Sequence, residues 1–249
     1  MIKIGLVGAS GKFGRSILES NDEIKKFDFN NLIANKRVGL LDPVTGSPFI
    51  PFDDLKDVSI LVDVAGIYTL EPSLNYCISQ QIPLIIGTTG HNPEQEANIR
   101  SASLTIPIFY AQNFSINLYA FLEMLKVLAP YSKQNCYIDL IERHRASKKD
   151  APSGTAKKIA QELDMPYKIG EPSYERDSKL MHIHVIRGQD HAIEHEINFG
   201  FPYENIQLKH QVYDRKTYAL GVLNAIEFIR DKKPGLYGMP DLAQNLLKK

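Results

Sequence analysis

The stretch IKIGLVGASGKFG, residues 2–14, decides the fold. Ile2 to Val7 is a short apolar run rich in β-branched residues, which reads as a buried strand. Gly8, Gly11 and Gly14 follow at once, and Lys12 to Ser20 places Phe13, Ile17 and Leu18 on one side of a helix. Glycine is needed where the chain turns sharply and where backbone approaches a pyrophosphate. The helix N-terminus then supplies free N–H groups and a partial positive charge. The spacing is G-x-x-G-x-x-G rather than G-x-G-x-x-G, so the triplet alone is a weak signal. Its place directly after a first strand gives it the weight of a dinucleotide site.

Outward from this turn the same alternation continues. Phe29–Ala34, Val58–Val64, Pro83–Ile86 and Ile106–Tyr110 read as further strands. Between them, Glu71–Gln81 carries Leu74, Cys77 and Ile78 at helical spacing, and Glu94–Ser103 reads as another helix. Near-continuous apolar strands alternating with helices predict an α/β, Rossmann-like doubly wound parallel sheet. After Tyr110 the pattern changes. Ser115 is placed to cap a long helix to about Ala129, with Leu118, Leu122 and Leu125 on its core face. Cys136, Ile138 and Leu140 then alternate with Tyr137, Asp139 and Ile141, and Met181, Ile183 and Val185 with His182, His184 and Ile186. Ile193, Ile197 and Phe199 share a face, as do Ile206, Leu208, His210 and Val212. Period-two patterning in nearby runs predicts a mixed or antiparallel sheet. The expected organisation is a dinucleotide-binding domain of residues 1–112 completed by 222–249. An α+β domain of residues 113–221, containing the mixed sheet, is inserted in it.

Lys+Arg and Asp+Glu both number 29, so no global basic field exists to hold nucleic acid or an anionic membrane. No stretch reaches the roughly 20 apolar residues of a membrane span. The start of the chain reads as a strand rather than a signal peptide, and a cytoplasmic protein is expected. Cys77 and Cys136 sit in apolar patterns and read as buried free thiols.

About twenty residues beyond the glycine turn, the second strand ends at Asn35-Lys36-Arg37. A carboxylate there would hydrogen-bond a ribose 2′-hydroxyl and repel a 2′-phosphate. Two cations and no carboxylate favour NADPH over NADH. Gly87-Thr88-Thr89-Gly90 ends another strand, where small residues let backbone meet a flat nicotinamide amide. Ala111-Gln112-Asn113-Phe114 ends the next and could face the same ring.

Glu142 to Ala156, ERHRASKKDAPSGTA, leaves a strand, crosses a polar loop and enters a helix. Pro152 and Ser153 form a helix start, with Ser153 the cap. Gly154 and Thr155 then present N–H groups as an anion site, with Arg145, Lys148 and Lys149 adding charge beside it. A histidine, cations and a helix N-terminus suit a small carboxylate substrate that takes up a proton during reaction.

At this point the sequence resembles the 4-hydroxy-tetrahydrodipicolinate reductase (dihydrodipicolinate reductase) family of bacterial lysine and diaminopimelate synthesis. The matching pieces are VGASGKFG, IGTTG, AQNFS, ERHRASKKDAPSGTA, IRGQDHAIEHEI and PGLYGM, in the family's order over nearly the whole chain. The resemblance implies that Gly8, Ala9, Ser10, Gly11, Lys12 and Phe13 serve the pyrophosphate. It places Gly87, Thr88 and Thr89 on the nicotinamide side, and Ala111, Gln112, Asn113 and Phe114 at the ring's other edge. It makes His144 and Lys148 catalytic, and gives Gly154 and Thr155 a substrate carboxylate. The implied reaction loses water from the 4-hydroxy substrate, a small dicarboxylate, and delivers hydride to C4, after which a proton reaches the neighbouring carbon. Lys148 suits a proton donor; His144 could donate, relay or polarise. The resemblance also implies a homotetramer built through the inserted domain's sheet, and an active site in the cleft between domains that closes on substrate.

Three positions depart from the family. Arg145 stands where a second histidine is common; it keeps a carboxylate-binding role but cannot act as a base. Asp63-Val64-Ala65 replaces the usual Asp-Phe-Thr or Asp-Phe-Ser. The acidic residue common after the second strand is absent. Alternatives are a non-catalytic NADPH-binding sensor, or a related dehydrogenase acting on another amino or keto acid. His182 and His184 share a strand face but have no Cys or carboxylate at ligand spacing, so no metal is expected. His191 and His195 read as polar positions at strand ends or in a subunit contact.

Overall fold

The computed structural model describes residues 1–34, 36–133, 136–170, 176–189 and 192–246. Asn35 and His191 lie outside them. The chain divides into two compact units, residues 1–116 with 215–249, and residues 117–214.

The first unit is built on strands β1 (Lys3–Val7), β2 (Asp28–Ile33), β3 (Phe49–Ile50), β4 (Ile60–Asp63), β5 (Leu84–Ile86) and β6 (Pro107–Tyr110). Its helices are α1 (Lys12–Ile24), α2 (Leu70–Gln80) and α3 (Pro93–Ser103). All strands of its sheet run parallel. Leu6, Leu61, Leu84 and Ile108 are buried, as a sheet covered on both faces requires. α3 starts where Asn92 and Gln95 form a reciprocal capping box, with Pro93 at the first position. The sheet order runs β6-β5-β4-β1-β2-β3, so its direction of growth reverses between β1 and β4. Such a reversal opens a crevice at the carboxyl ends of those strands. β3 has only two residues, too few to show a period in the sequence.

The second unit holds α4 (Ile116–Ser132), β7 (Tyr137–Arg145), α5 (Gly154–Glu162), β8 (Tyr167–Ile169), β9 (Met181–Gly188), β10 (Ile193–Phe201) and β11 (Glu204–Val212). Their order is β11-β10-β7-β9-β8. β10 is antiparallel to both neighbours, while β7 and β8 run parallel to β9, which makes the sheet mixed. One face carries the core: Ile138, Leu140, Ile183, Ile197 and Phe199 under α4 and α5. Leu118, Phe121 and Leu125 are the buried apolar positions of α4, and Leu122 is only partly covered. The i, i+3, i+7 stripe therefore displaces the expected one at Leu122. Pleating continues the apolar row of β7 into Glu142 and His144 on the same buried face.

The chain returns to the first unit with α6 (Lys216–Ile229), β12 (Gly235–Tyr237) and α7 (Met239–Leu246), and β12 pairs in parallel with β6. The observed joints fall at 116/117 and 214/215 rather than at 112/113 and 221/222. A joint at 221 would cut α6, which packs as one rod because its hydrogen bonds run unbroken along it. Among the described residues no helix is long and apolar enough to cross a membrane.

Gly221 lets α6 lie directly on the turn after β6. A Cβ there would sit 1.9 Å from the Phe114 carbonyl oxygen. Gly221→Ala should therefore cost about 3 kcal/mol through overpacking. Calorimetry should show the melting midpoint lowered by about 5 °C or more, and an unchanged midpoint would refute this contact.

Candidate active site

In the first unit the residues expected at a nucleotide gather at the carboxyl ends of adjacent strands. Gly8 follows β1 with φ of 88°, a left-handed conformation. Its N–H and that of Ala9 donate to the Ile33 carbonyl at 3.0 and 3.3 Å, tying the turn to the end of β2. Lys36 and Arg37 stand exposed just beyond. A Cβ on Gly14 would lie 2.3 Å from the Gly8 carbonyl oxygen, so α1 can rise from this turn only with glycine there. The cap residue Gly11 offers no side-chain hydrogen bond, which leaves the first-turn N–H groups of α1 for a ligand. Gly87 to Gly90 follow β5, and Thr88 Oγ1 is buried with no partner among the described residues. Ala111 to Phe114 follow the neighbouring β6. An uncapped helix start, glycine-only packing and an orphaned hydroxyl fit a dinucleotide.

Asp63, the last residue of β4, is buried and fully engaged. Oδ1 accepts from Ala65 N–H at 3.1 Å and Thr69 Oγ1 at 2.8 Å, and Oδ2 accepts from Ser73 Oγ at 2.7 Å. Burial pushes its pKa up against these donations. Its carboxylate shapes the loop and the start of α2 from within.

In the second unit one buried cluster joins three strands and a helix. Glu142, fully buried on β7, accepts from Arg187 Nη2 of β9 at 3.0 Å through Oε1. Its Oε2 accepts from Ser153 N–H at 3.0 Å. Arg187 Nη2 also donates to the Asp150 carbonyl at 2.9 Å, and Ala146 N–H to the Gly188 carbonyl at 2.7 Å, so the loop is pinned to β9. Ser153 caps α5 by accepting from Ala156 N–H at 3.1 Å. Its hydroxyl also lies 3.0 Å from His195 Nε2. His144 and His195 meet edge to face at 5.3 Å. Lys148 Nζ pairs with Asp150 Oδ1 at 2.8 Å. The N–H groups of Gly154 and Thr155 make no hydrogen bond among the described residues.

Burial pushes His144 down to about 4; Glu142 opposes that shift, while Lys148 and Arg187 add to it. Burial pushes His195 down to about 3, aided by His144. For Glu142, burial works upward, but donations from Ser153 and Arg187 outweigh it and hold the carboxyl below its ordinary range.

The structure thus brings His144, Lys148, Ser153, Gly154 and Thr155 into one neighbourhood. Arg145 ends β7, exposed, on the opposite pleat from His144. His195, expected as a polar position at a strand end or in a subunit contact, is instead a buried member of this cluster, placed by the Glu142↔His195 register. Its strand alternation, in phase with Ile197 and Phe199, was the signal for burial. Arg187 carried no local signal, because its partner lies 45 residues away. His184 does find a carboxylate, Asp139 Oδ1 at 2.8 Å, from the adjacent strand rather than at a sequence spacing.

A parallel sheet with a nucleotide-type turn and an inserted unit bearing a histidine–carboxylate cluster define an oxidoreductase of the doubly wound class. Residues 2–114 match the family described as Dihydrodipicolinate reductase, N-terminus, and residues 117–243 match Dihydrodipicolinate reductase, C-terminus. The chain belongs to the dihydrodipicolinate reductase family. It is 33% identical to the 4-hydroxy-tetrahydrodipicolinate reductase of Methanocorpusculum labreanum over 97% of this chain and 99% of the relative. The enzyme of that name from Rickettsia bellii is also 33% identical, over 99% and 96%. A dipicolinate-bound dihydrodipicolinate reductase from Paenisporosarcina sp. TG-14 shares the fold with a TM-score of 0.79 at 22% identity, covering 96% of this chain and 98% of that one.

The buried histidines set the acid stability. Unfolded, they take up protons near 6.5; folded, only near 4 and 3. Stability is therefore full above 6.5 and drains as pH falls toward 4, and Glu142 adds a loss below its ordinary 4.5. Urea unfolding followed by circular dichroism between pH 7 and 4.5 should show this decline. His195→Gln should flatten it by up to about 1.4 kcal/mol per pH unit; an unchanged slope would contradict a neutral buried His195.

Proposed function

We propose that this chain, an oxidoreductase, reduces 4-hydroxy-tetrahydrodipicolinate to tetrahydrodipicolinate with loss of water, using NADPH in preference to NADH. The observation that carries this reading is the pairing of His144 with a helix start whose Gly154 and Thr155 N–H groups are unspent. A cradle of free N–H groups beside a proton-bearing ring suits an anionic substrate that must be protonated. The nicotinamide nucleotide supplies the hydride.

The first unit binds that nucleotide. Gly8 to Phe13 hold the pyrophosphate, Gly87 to Thr89 and Ala111 to Phe114 flank the nicotinamide, and Lys36 with Arg37 meets the 2′-phosphate. The second unit binds substrate and builds a homotetramer through its mixed sheet. Gly154 and Thr155 donate to one carboxylate, and Arg145 reaches a carboxylate from its strand end as a planar fork. Lys148, oriented by Asp150, donates the proton to the carbon next to C4. His144 polarises the substrate and relays protons. Dipicolinate, the ligand of the Paenisporosarcina relative, is a pyridine dicarboxylate and should compete for this site.

A coupled assay tests the reading: the substrate is made with its upstream synthase and NADPH absorbance is followed. Oxidation well above background is expected, and none would leave the sensor alternative standing. Lys148→Ala should cut kcat by about 10² or more with NADPH affinity nearly unchanged; an unaltered kcat removes Lys148 from the mechanism. The double variant Lys36→Ala/Arg37→Ala should lower the NADPH-to-NADH ratio of kcat/KM by about tenfold or more. A wild-type preference for NADH would refute the role of both cations.

A further inference from the structure

Glu142 takes no part in the chemistry above, yet both of its oxygens are held inside the protein. It is 0% exposed, so no substrate touches it. A buried carboxylate is tolerated only when its oxygens are satisfied, and here both are, by Arg187 and by the Ser153 N–H. Two rings also face it: His195, whose Nε2 lies 3.9 Å from Oε2 but 3.0 Å from the Ser153 hydroxyl, and His144. His144 Nδ1 lies 4.0 Å from Oε1, on the same pleated face two residues along β7. That nitrogen is buried and has no hydrogen-bond partner among the described residues. It stands about one ångström beyond hydrogen-bond reach.

We propose that Glu142 is the positioning residue of His144: it holds the ring with Nδ1–H turned inward, keeps Nε2 for the reacting molecule, and supplies the counter-charge when the ring is protonated. The inference rests on the role given to His144 above. Arg187 makes Glu142 rigid by donating to it and to the Asp150 carbonyl at once. The charged and titratable groups facing His144 are Glu142 on its own strand, Arg187 from β9, His195 from β10, and Lys148 and Asp150 from the loop. Glu142 and Asp150 favour the imidazolium; Lys148 and Arg187 oppose it. His195 stays neutral and adds no charge of its own at neutral pH. Glu142, His144 and His195 also offer three ligand atoms within 4.8 Å of one another. The Arg187 guanidinium already covers the carboxylate, however, so a dication would meet a cation there. The cluster is therefore built for a ring proton.

The test is spectroscopic and independent of turnover. Nitrogen-15 histidine NMR at pH 7 should find His144 of the wild type as the Nδ1–H tautomer, against the Nε2–H preference of a free histidine side chain. Finding Nε2–H would overturn the proposal without any variant. In Glu142→Gln the His144 titration should move about one unit or more to lower pH, and in Glu142→Asp it should stay close to wild type. An unmoved titration in Glu142→Gln overturns the counter-charge role. In the coupled assay Glu142→Gln should lose about tenfold or more in kcat, while NADPH affinity measured by fluorescence stays within about twofold. A merely structural role would lower kcat with the tautomer and titration unmoved, and that result counts against the proposal. A wild type with no reductase activity defeats the functional reading, while the tautomer and titration still decide this one.

Discussion

A carboxylate enclosed in protein must have its oxygens satisfied, and the second unit is arranged around that requirement at Glu142. Arg187 from β9 and the N–H of Ser153 converge on it, so the ends of two strands and the start of a helix are drawn to one point. The loop between Ala146 and Pro152 is thereby held at both ends and, through the Asp150 carbonyl, in its middle. A loop fixed at three places keeps Lys148 near its anchor. The same contacts choose which α5 donors remain open. Glu142 takes the N–H of Ser153, the Ser153 hydroxyl takes that of Ala156, and only Gly154 and Thr155 are left for a ligand.

The first unit meets a different constraint, close approach of backbone. Glycines at positions 8 and 14 allow β1 to pass into α1 through a turn that side chains would fill. Asp63 rigidifies the neighbouring loop from inside, through three donors. Val64 and Ala65 follow with small apolar side chains, so the Asp63 network fixes the loop. Each unit thus presents fixed backbone N–H groups at a helix start, one at α1 and one at α5.

What the sequence made legible were features of short range. Strand and helix periods, the glycine turn and the Ser153 cap all depend on neighbours within a few residues. Features set by strand pairing were not legible. Arg187 meets Glu142 and Asp139 meets His184 across register that only the folded sheet creates, and His195 is brought to Ser153 by its pairing opposite Glu142. His195 was misjudged for this reason: a polar residue in an alternating strand shows its period but not its partner. The core face of α4 was misplaced by one residue because the helix is apolar nearly all round, and its stripe is selected by the sheet beneath.

The order of elements along the chain has a consequence for synthesis. The second unit is one continuous segment, residues 117–214, whereas the first is completed by residues from 215 onward. β12 supplies the outer neighbour of β6, and α6 covers the turn at Phe114 through Gly221. A chain emerging from the ribosome therefore finishes its inserted unit while the nucleotide sheet still lacks an edge strand and a covering helix. Domains fold as units as they become complete, so the unit that begins first closes last. Until then the β6 edge and the apolar surface awaiting α6 stand open, and this nascent interval is when the chain most needs protection from aggregation.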